Sequence, residues 1–326
     1  MIARRSLLLA APALAINGAA RAQAGYPDRP VRIVVPFAAG GGQDITARIL
    51  AEPLRAVLGQ PVIVENRAGA SGMIGVQAVL QAPADGHTLM LGGAGETAIN
   101  QHLYKEKMAY DPLRDLRPVS LVGKVPVVVM AYPEAPFRDM AGLVAFARAN
   151  PGKLSYSSSG IGNAQHLCGE LLNRIAGINT VHVPYRGSGP AVLDIAAGQV
   201  QFGYNSLASG LALIREGRIR AIGVTARERM PQLPAVPSVS EVPGLGAYEL
   251  VNYFGVFAAS ATPAPILQRL NEVLVEIQRV GPVREKLTEQ GLLVQTMGLA
   301  EARDYIAQES AKFGRIVAEA GITPDS

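Results

Sequence analysis

The chain has 326 residues, with 30 Lys and Arg against 26 Asp and Glu, one cysteine and no tryptophan. That length exceeds one typical domain and suggests two. The lone Cys168 excludes an internal disulfide, and no basic patch interleaved with aromatic residues points to a nucleic-acid partner.

Met1 to Ala24 carries the three parts of an export signal. Arg4 and Arg5 give a basic start, Leu7 to Ile16 is apolar but for Pro12, and Ala22-Gln23-Ala24 is a small-x-small cleavage site. The apolar run is too short to span a bilayer, and no cysteine follows it to take a lipid anchor. Cleavage after Ala24 and residence in the periplasm are expected. Arg4-Arg5-Ser6-Leu7-Leu8 partly resembles a twin-arginine (Tat) signal, but Ala3 stands where Ser or Thr is usual, so Tat and Sec export both stay open. Losing Arg4, Arg5 and Arg21 leaves 27 basic against 26 acidic residues over 302 positions, a near-neutral chain.

Val31 to Val35 is a β-branched run, as a buried strand requires. Pro36 ends it, and Ala38 to Gly42 have almost no side chain. Asp44 then precedes Ile45, Ile49, Leu50, Leu54, Val57 and Leu58 at helical spacing. A strand thus enters a glycine loop and leaves as a helix. Glycines let a ligand approach backbone N–H groups, and a helix N-terminus adds unpaired donors with partial positive charge. That combination attracts anions; a plain strand-to-helix turn has the same signature.

Strands follow at Pro61–Glu65 and His87–Leu91, the second running into Gly92–Ala98, and again at Val119–Val122 and Val125–Ala131. Asp139 can cap a helix over Met140–Ala149. Leu154–Ser157, Val181–Tyr185, Val200–Tyr204, Ile219–Thr225 and Phe254–Ala258 read as further strands. Helices are placed over Leu167–Ile175, from Pro190 and from Pro263, and the tail Glu301–Ala320 is amphipathic. Strand-helix alternation with non-alternating apolar strands predicts parallel sheets covered by helices, with ligands at the carboxyl ends of strands. Five post-strand loops share one small, polar character: Phe37–Asp44, Gly92–Thr97, Ser157–Asn163, Arg186–Pro190 and Asn205–Ser206. A cleft between two α/β lobes would bring them together, with walls suited to carboxylates.

Catalytic signatures are missing: no G-x-S-x-G elbow, no Walker loop and no metal-ligand spacing among His, Cys and Asp. Gly93-Ala94-Gly95 with Ala98 fits a loose dinucleotide pattern, but Asp111 and Asp115 end no second strand, so no cofactor is expected. Ser158 and Ser159 are read as hydrogen-bond donors to a ligand, His166 as a supporting residue, His182 as a core histidine and Cys168 as a buried small residue. Asp44 and Glu96 are either helix-start caps or acceptors for a ligand hydroxyl or amine. Arg186 is placed on the rim or in a contact between domains.

The segment Tyr26-Pro27-Asp28-Arg29-Pro30-Val31-Arg32-Ile33-Val34-Val35-Pro36-Phe37-Ala38-Ala39-Gly40-Gly41-Gly42-Gln43-Asp44 resembles the opening of the Bug/TctC family. Val64–Gly72, Pro151–Leu154, His166–Glu170, Val183–Ala191, Ala197–Val200 and Ala320–Ile322 extend the likeness over nearly all of the mature chain. These are periplasmic solute-binding proteins of tripartite tricarboxylate transporters. The resemblance implies an α/β, two-lobed type II periplasmic-binding-protein (Venus-flytrap) fold, each lobe a mainly parallel sheet flanked by helices. It places one lobe at 25–125 plus 248–326 and the other at 126–247. It implies capture of a small carboxylate-containing ligand by closure, by a monomer that is not an enzyme and that meets membrane transporter subunits. The family's grip maps onto Phe37, Ala38, Ala39, Gly42, Asp44, Gly93 and Ala94 in one lobe. In the other it maps onto Ser158, Ser159, Gly160, Gly187 and Asn205. Two departures bear on selectivity: Asn205 stands where Asp is usual, and Glu96 where hydroxyl residues are common. A sensor on the same fold, and an exported hydrolase using His166 as base, are the rival readings.

Overall fold

The structure, a computed structural model, describes residues 25–279 and 281–323; the predicted export signal, residues 1–24, lies outside them. Val31–Val35 forms β1, buried at four of five positions. Helix α1, Gly42–Leu58, follows the glycine loop. Its inward face is Thr46, Ala47, Leu50, Leu54 and Leu58, while Val57 turns to solvent. Gly59 ends it in the left-handed conformation, donating to the Arg55 carbonyl. β2 (Val62–Asn66), α2 (Met73–Leu80) and β3 (Thr88–Gly93) complete the first parallel unit, with β2 and β3 on either side of β1. A π-helical turn, Gly95–Ile99, follows β3.

β4 is one strand, Leu116–Ala131, where the sequence suggested two. Gly123-Lys124 does not break it, because two register irregularities against β9 absorb the local bend. Next come α3 (Met140–Ala149), β5 (Ser155–Ser158), α4 (Ala164–Ala176), β6 (Val181–Pro184), α5 (Ser188–Ala196) and β7 (Phe202–Ser206). Asp139 caps α3, accepting from Gly142 N at 2.7 Å. Helix α6 (Leu207–Arg215), starting directly at the end of β7, was not anticipated. β8 (Arg220–Val224) leads to the proline-rich connection 230–243, and β9 covers Val251–Ala259. The chain closes with α7 (Ala264–Arg279), α8 (Pro282–Glu289, also unanticipated), β10 (Leu293–Val294) and α9 (Leu299–Ala320).

The strands form two sheets that share β4. One runs β2-β1-β3-β9-β4 with β10 on β4; the other runs β4-β7-β5-β6 with β8 on β4. The loop-bearing pairs β1–β2, β1–β3, β5–β6 and β5–β7 are parallel, and every pair involving β4 or β9 is antiparallel. β4 pairs with β9 as far as Pro126 and with β7 from Val127 onward. Pro126, with no N–H to give a ladder, stands where the strand changes sheets. The buried Thr225 ties this point to Leu250, just before β9. Its N–H donates to Val127 O at 2.9 Å, its Oγ1 accepts from Val127 N at 3.0 Å, and its carbonyl accepts from Leu250 N at 3.1 Å.

Candidate functional site

The loops at the carboxyl ends of β1 and β3 face those after β5, β6 and β7 across a narrow cleft. Of the residues expected there, Phe37, Ala38, Gly42, Asp44, Gly93, Ala94 and Ser159 line it. Ala39 is exposed, and its carbonyl packs against Gly189. Ser158 is fully buried; its Oγ sits 2.7 Å from His182 Nε2 and accepts from Gly160 N at 3.1 Å. Gly160 belongs to a neighbouring recess with Phe37, Ser159 and Arg186. Gly187, at φ 139, packs on Ala38, whose N–H donates to Arg186 O at 3.0 Å. Arg186 therefore joins the lobes through its backbone, and its side chain is exposed. Asn205 is fully buried on β7 behind the lining, and neither amide atom has a partner among the described residues.

Gln43, Asn163, Ser188 and Ser206, members of the expected loops not named as ligand contacts, also line the cleft, as do Gln165 and Asn252, which lie outside those loops. Asn163 and Ser206 could have been found as helix-start residues of capping type. Asn252 and Phe254 come from β9, far along the chain, and only the sheet brings them here.

Four helices begin at this cleft: α1, α4, α5 and α6. Their N-cap residues are Gly41, Asn163, Gly187 and Ser206, and none makes a side-chain cap. Away from the cleft, Asp139 does cap α3. Glycine offers no cap, and Asn163 and Ser206 have the chemistry but do not use it. Unpaired N–H donors and positive helix ends thus converge from both sides. Asn163 Nδ2 is itself buried without a partner among the described residues. The opposing walls are close: a Cβ at Gly42 would lie 2.9 Å from Ser206 Cβ, and one at Gly95 would run into Asn163.

The cleft contains two acids and no Lys, Arg or His. Asp44, 3% exposed, accepts from Gly40 N at 2.9 Å and pairs with Arg48 at 2.9 Å. Burial pushes its carboxyl up, but the hydrogen bonds from Arg48, Gly40 and Asn66 outweigh that and hold it below the usual range. Its charge serves the loop and its own helix, so the cap reading describes what it does here. Glu96, 1% exposed, has no cationic partner. Its Oε1 accepts from Gln43 Nε2 and from Gly93 N, both at 2.6 Å. Burial raises its carboxyl to about 7, against the lowering effect of those bonds.

Two histidines, His166 and His182, stand outside the lining. His182 is stacked between Tyr156 and His166, with ring centroids 5.0 and 4.1 Å away. His166 is fully buried and its Nδ1 accepts from Gly162 N at 3.2 Å. Burial, with His182 adding to it, depresses its pKa to about 3, so it is neutral at any physiological pH. The serine–histidine contact that forms is Ser158 with His182, not with His166. Cys168 is fully buried, and burial pushes its thiol up. Among the described residues no cluster of His, Cys, Asp or Glu is placed to hold a metal, and no helix is long and apolar enough to cross a membrane.

Residues 46–322 match the family described as "Tripartite tricarboxylate transporter family receptor". The Bordetella pertussis protein BugT is 35% identical over 296 residues, covering 91% of this chain and 90% of BugT. The structure of the periplasmic binding protein BugD superposes with TM-score 0.86 at 33% identity, covering 91% of this chain and 99% of that one. R. palustris Rpa4515 with adipate gives 0.88 and 33%, with 91% and 99% covered. MatC from Rhodopseudomonas palustris with bound malate gives 0.84 and 31%, with 90% and 100% covered. The two sheets joined through β4 are thus the two lobes of a periplasmic-binding-protein fold, and the chain belongs to the Bug/TctC family of solute-binding receptors for tripartite tricarboxylate transporters.

Proposed function

We propose that this chain captures a small carboxylate-bearing solute between its lobes and presents the closed form to the membrane subunits of a tripartite transporter. The observation that carries this reading is the set of four helix N-termini without side-chain caps opening onto one cleft from both lobes. A bound anion would satisfy donors from both sides at once, so its contacts improve on closure and shift the population toward the closed state. The adipate and malate seen in relatives agree with that chemistry.

The binding set on this reading is Phe37, Ala38, Gly42, Asp44, Gly93 and Ala94 against Ser159, with Asn163 and Ser206 added. Ala39, Ser158, Gly160, Gly187 and Asn205 shape the walls from behind or at the mouth. The lobes divide at 25–125 plus 248–326 and at 126–247, and Thr225 serves as the clasp of the hinge. The protein acts as a monomer in the periplasm after cleavage at Ala24, by Tat or Sec export, and needs no cofactor. The Ser158–His182 contact is the one feature favouring a hydrolase. Its serine is fully buried and outside the lining, so binding is the better reading.

Isothermal titration calorimetry of the mature protein with succinate, malate, adipate, glutamate, aspartate and benzoate tests it. Saturable binding of at least one acid, without product, is expected. Turnover, or silence across acids of every class, would overturn it.

A further inference from the structure

An anion site that buries an uncompensated carboxylate contradicts itself unless the ligand resolves the contradiction. Glu96 is that carboxylate. Gln43 Nε2 and Gly93 N both donate to its Oε1, its own backbone N–H adds to them, and no described cation pairs with it. Neither of those two donors is then open to a ligand anion. The lining has no cation, and Arg48, the nearest charge of that sign to Asp44, is already paired with it. The second lobe is the opposite case. Asn163, Gln165, Ser188 and Ser206 stand at uncapped helix starts, and Asn163 keeps an unpartnered buried amide. The cleft is therefore uneven: three of the four uncapped helix starts stand on the second-lobe wall, and Glu96, with no cation beside it, stands on the first-lobe wall with the fourth.

We propose that Glu96 is the specificity residue of this cleft: it accepts a hydrogen bond from an ammonium, amine or amide N–H of the ligand, while the ligand's carboxylate lies at the uncapped helix N-termini. The protein then selects amino or amide acids over plain mono- and dicarboxylates. The proposal rests on the carboxylate-capture reading above. A carboxylate in a dry site gains most from a charged donor, and a plain diacid would place a second negative charge beside Glu96.

The test uses skeleton-matched pairs of acids at pH 8 with the mature protein: succinate and aspartate, glutarate and glutamate, propionate and alanine, benzoate and 2-aminobenzoate, succinate and succinamate. Within at least one pair the N–H-bearing member should bind roughly 10- to 100-fold tighter. Glu96→Gln, which keeps an acceptor for Gln43 and Gly93, should remove most of that preference. A plain acid binding as tightly as its N–H-bearing partner in every pair that binds would overturn the assignment while leaving carboxylate capture intact. A preference that survives in Glu96→Gln would also overturn it. No binding by any member would overturn carboxylate capture itself. The pairs are compared within the unaltered protein, so the result does not depend on the variant folding.

Discussion

Glu96 gives a prediction about the unliganded protein that needs no knowledge of the ligand. Its carboxyl titrates near 4.5 in an unfolded chain and near 7 in the folded one, because burial opposes its charge. Between those values the folded protein holds a proton that the unfolded chain has released. The unfolded state then binds fewer protons, so stability falls as pH rises. The contribution is complete below about pH 4.5 and gone above about pH 7. At about 1.4 kcal/mol per unit, the whole loss is about 3 kcal/mol. Glu96→Gln removes the titration while keeping the neutral shape. Urea denaturation of ligand-stripped protein should therefore show the wild type losing about 2–3 kcal/mol relative to Glu96→Gln between pH 5 and pH 8. The other titrating groups are common to both proteins and cancel in the difference. Parallel stability profiles across that range would refute the claim that Glu96 is charged at a cost. Such a cost, sited in the cleft, is what a residue kept for ligand recognition would carry.

Other outcomes follow from the geometry. Gly42→Ala places a methyl group against Ser206 and Phe254; it should weaken ligand affinity at least about tenfold by obstructing closure while leaving the melting of ligand-free protein nearly unchanged, and calorimetry on the two proteins decides. Thr225→Val keeps the shape but strands the buried Val127 N–H, so chemical denaturation should find a loss of about 1–3 kcal/mol; an unchanged midpoint would remove Thr225 from the hinge. Asp44→Ala strips Gly40 N and Arg48 of their acceptor and should weaken ligand binding with modest loss of stability, about 1–3 kcal/mol. Asn205→Ala, behind the lining, should weaken binding less than Asp44→Ala; unchanged calorimetric affinity in both variants would sink the site assignment. His166→Ala should leave ligand affinity within about twofold, because its ring faces Gly162 and His182 rather than the cleft; a large loss would return it to the site.

What the sequence determined by itself is what neighbouring residues determine. The β-branched run Val31–Val35, the glycines after it and the helix that follows are local events, and so is the cap of Asp139 on α3. The five loops were legible because strand ends, small residues and helix starts are contiguous in the chain. The family motifs then supplied the arrangement of lobes that no single stretch contains.

Tertiary structure decided how those loops are used. It turned Asn205 into the buried core of β7 and put Ser206, one residue on, against Gly42; a period of two along a strand makes adjacent side chains face opposite ways, and the sequence does not say which faces inward. It gave Ser158 to His182 across the β5–β6 pair, 24 residues apart. It brought Asn252 and Phe254 from β9 into the cleft and tied Thr225 to both Val127 and Leu250. Above all it showed Glu96 enclosed with no cation beside it, because charge compensation depends on every element that packs around a group and not on the residues next to it in the chain.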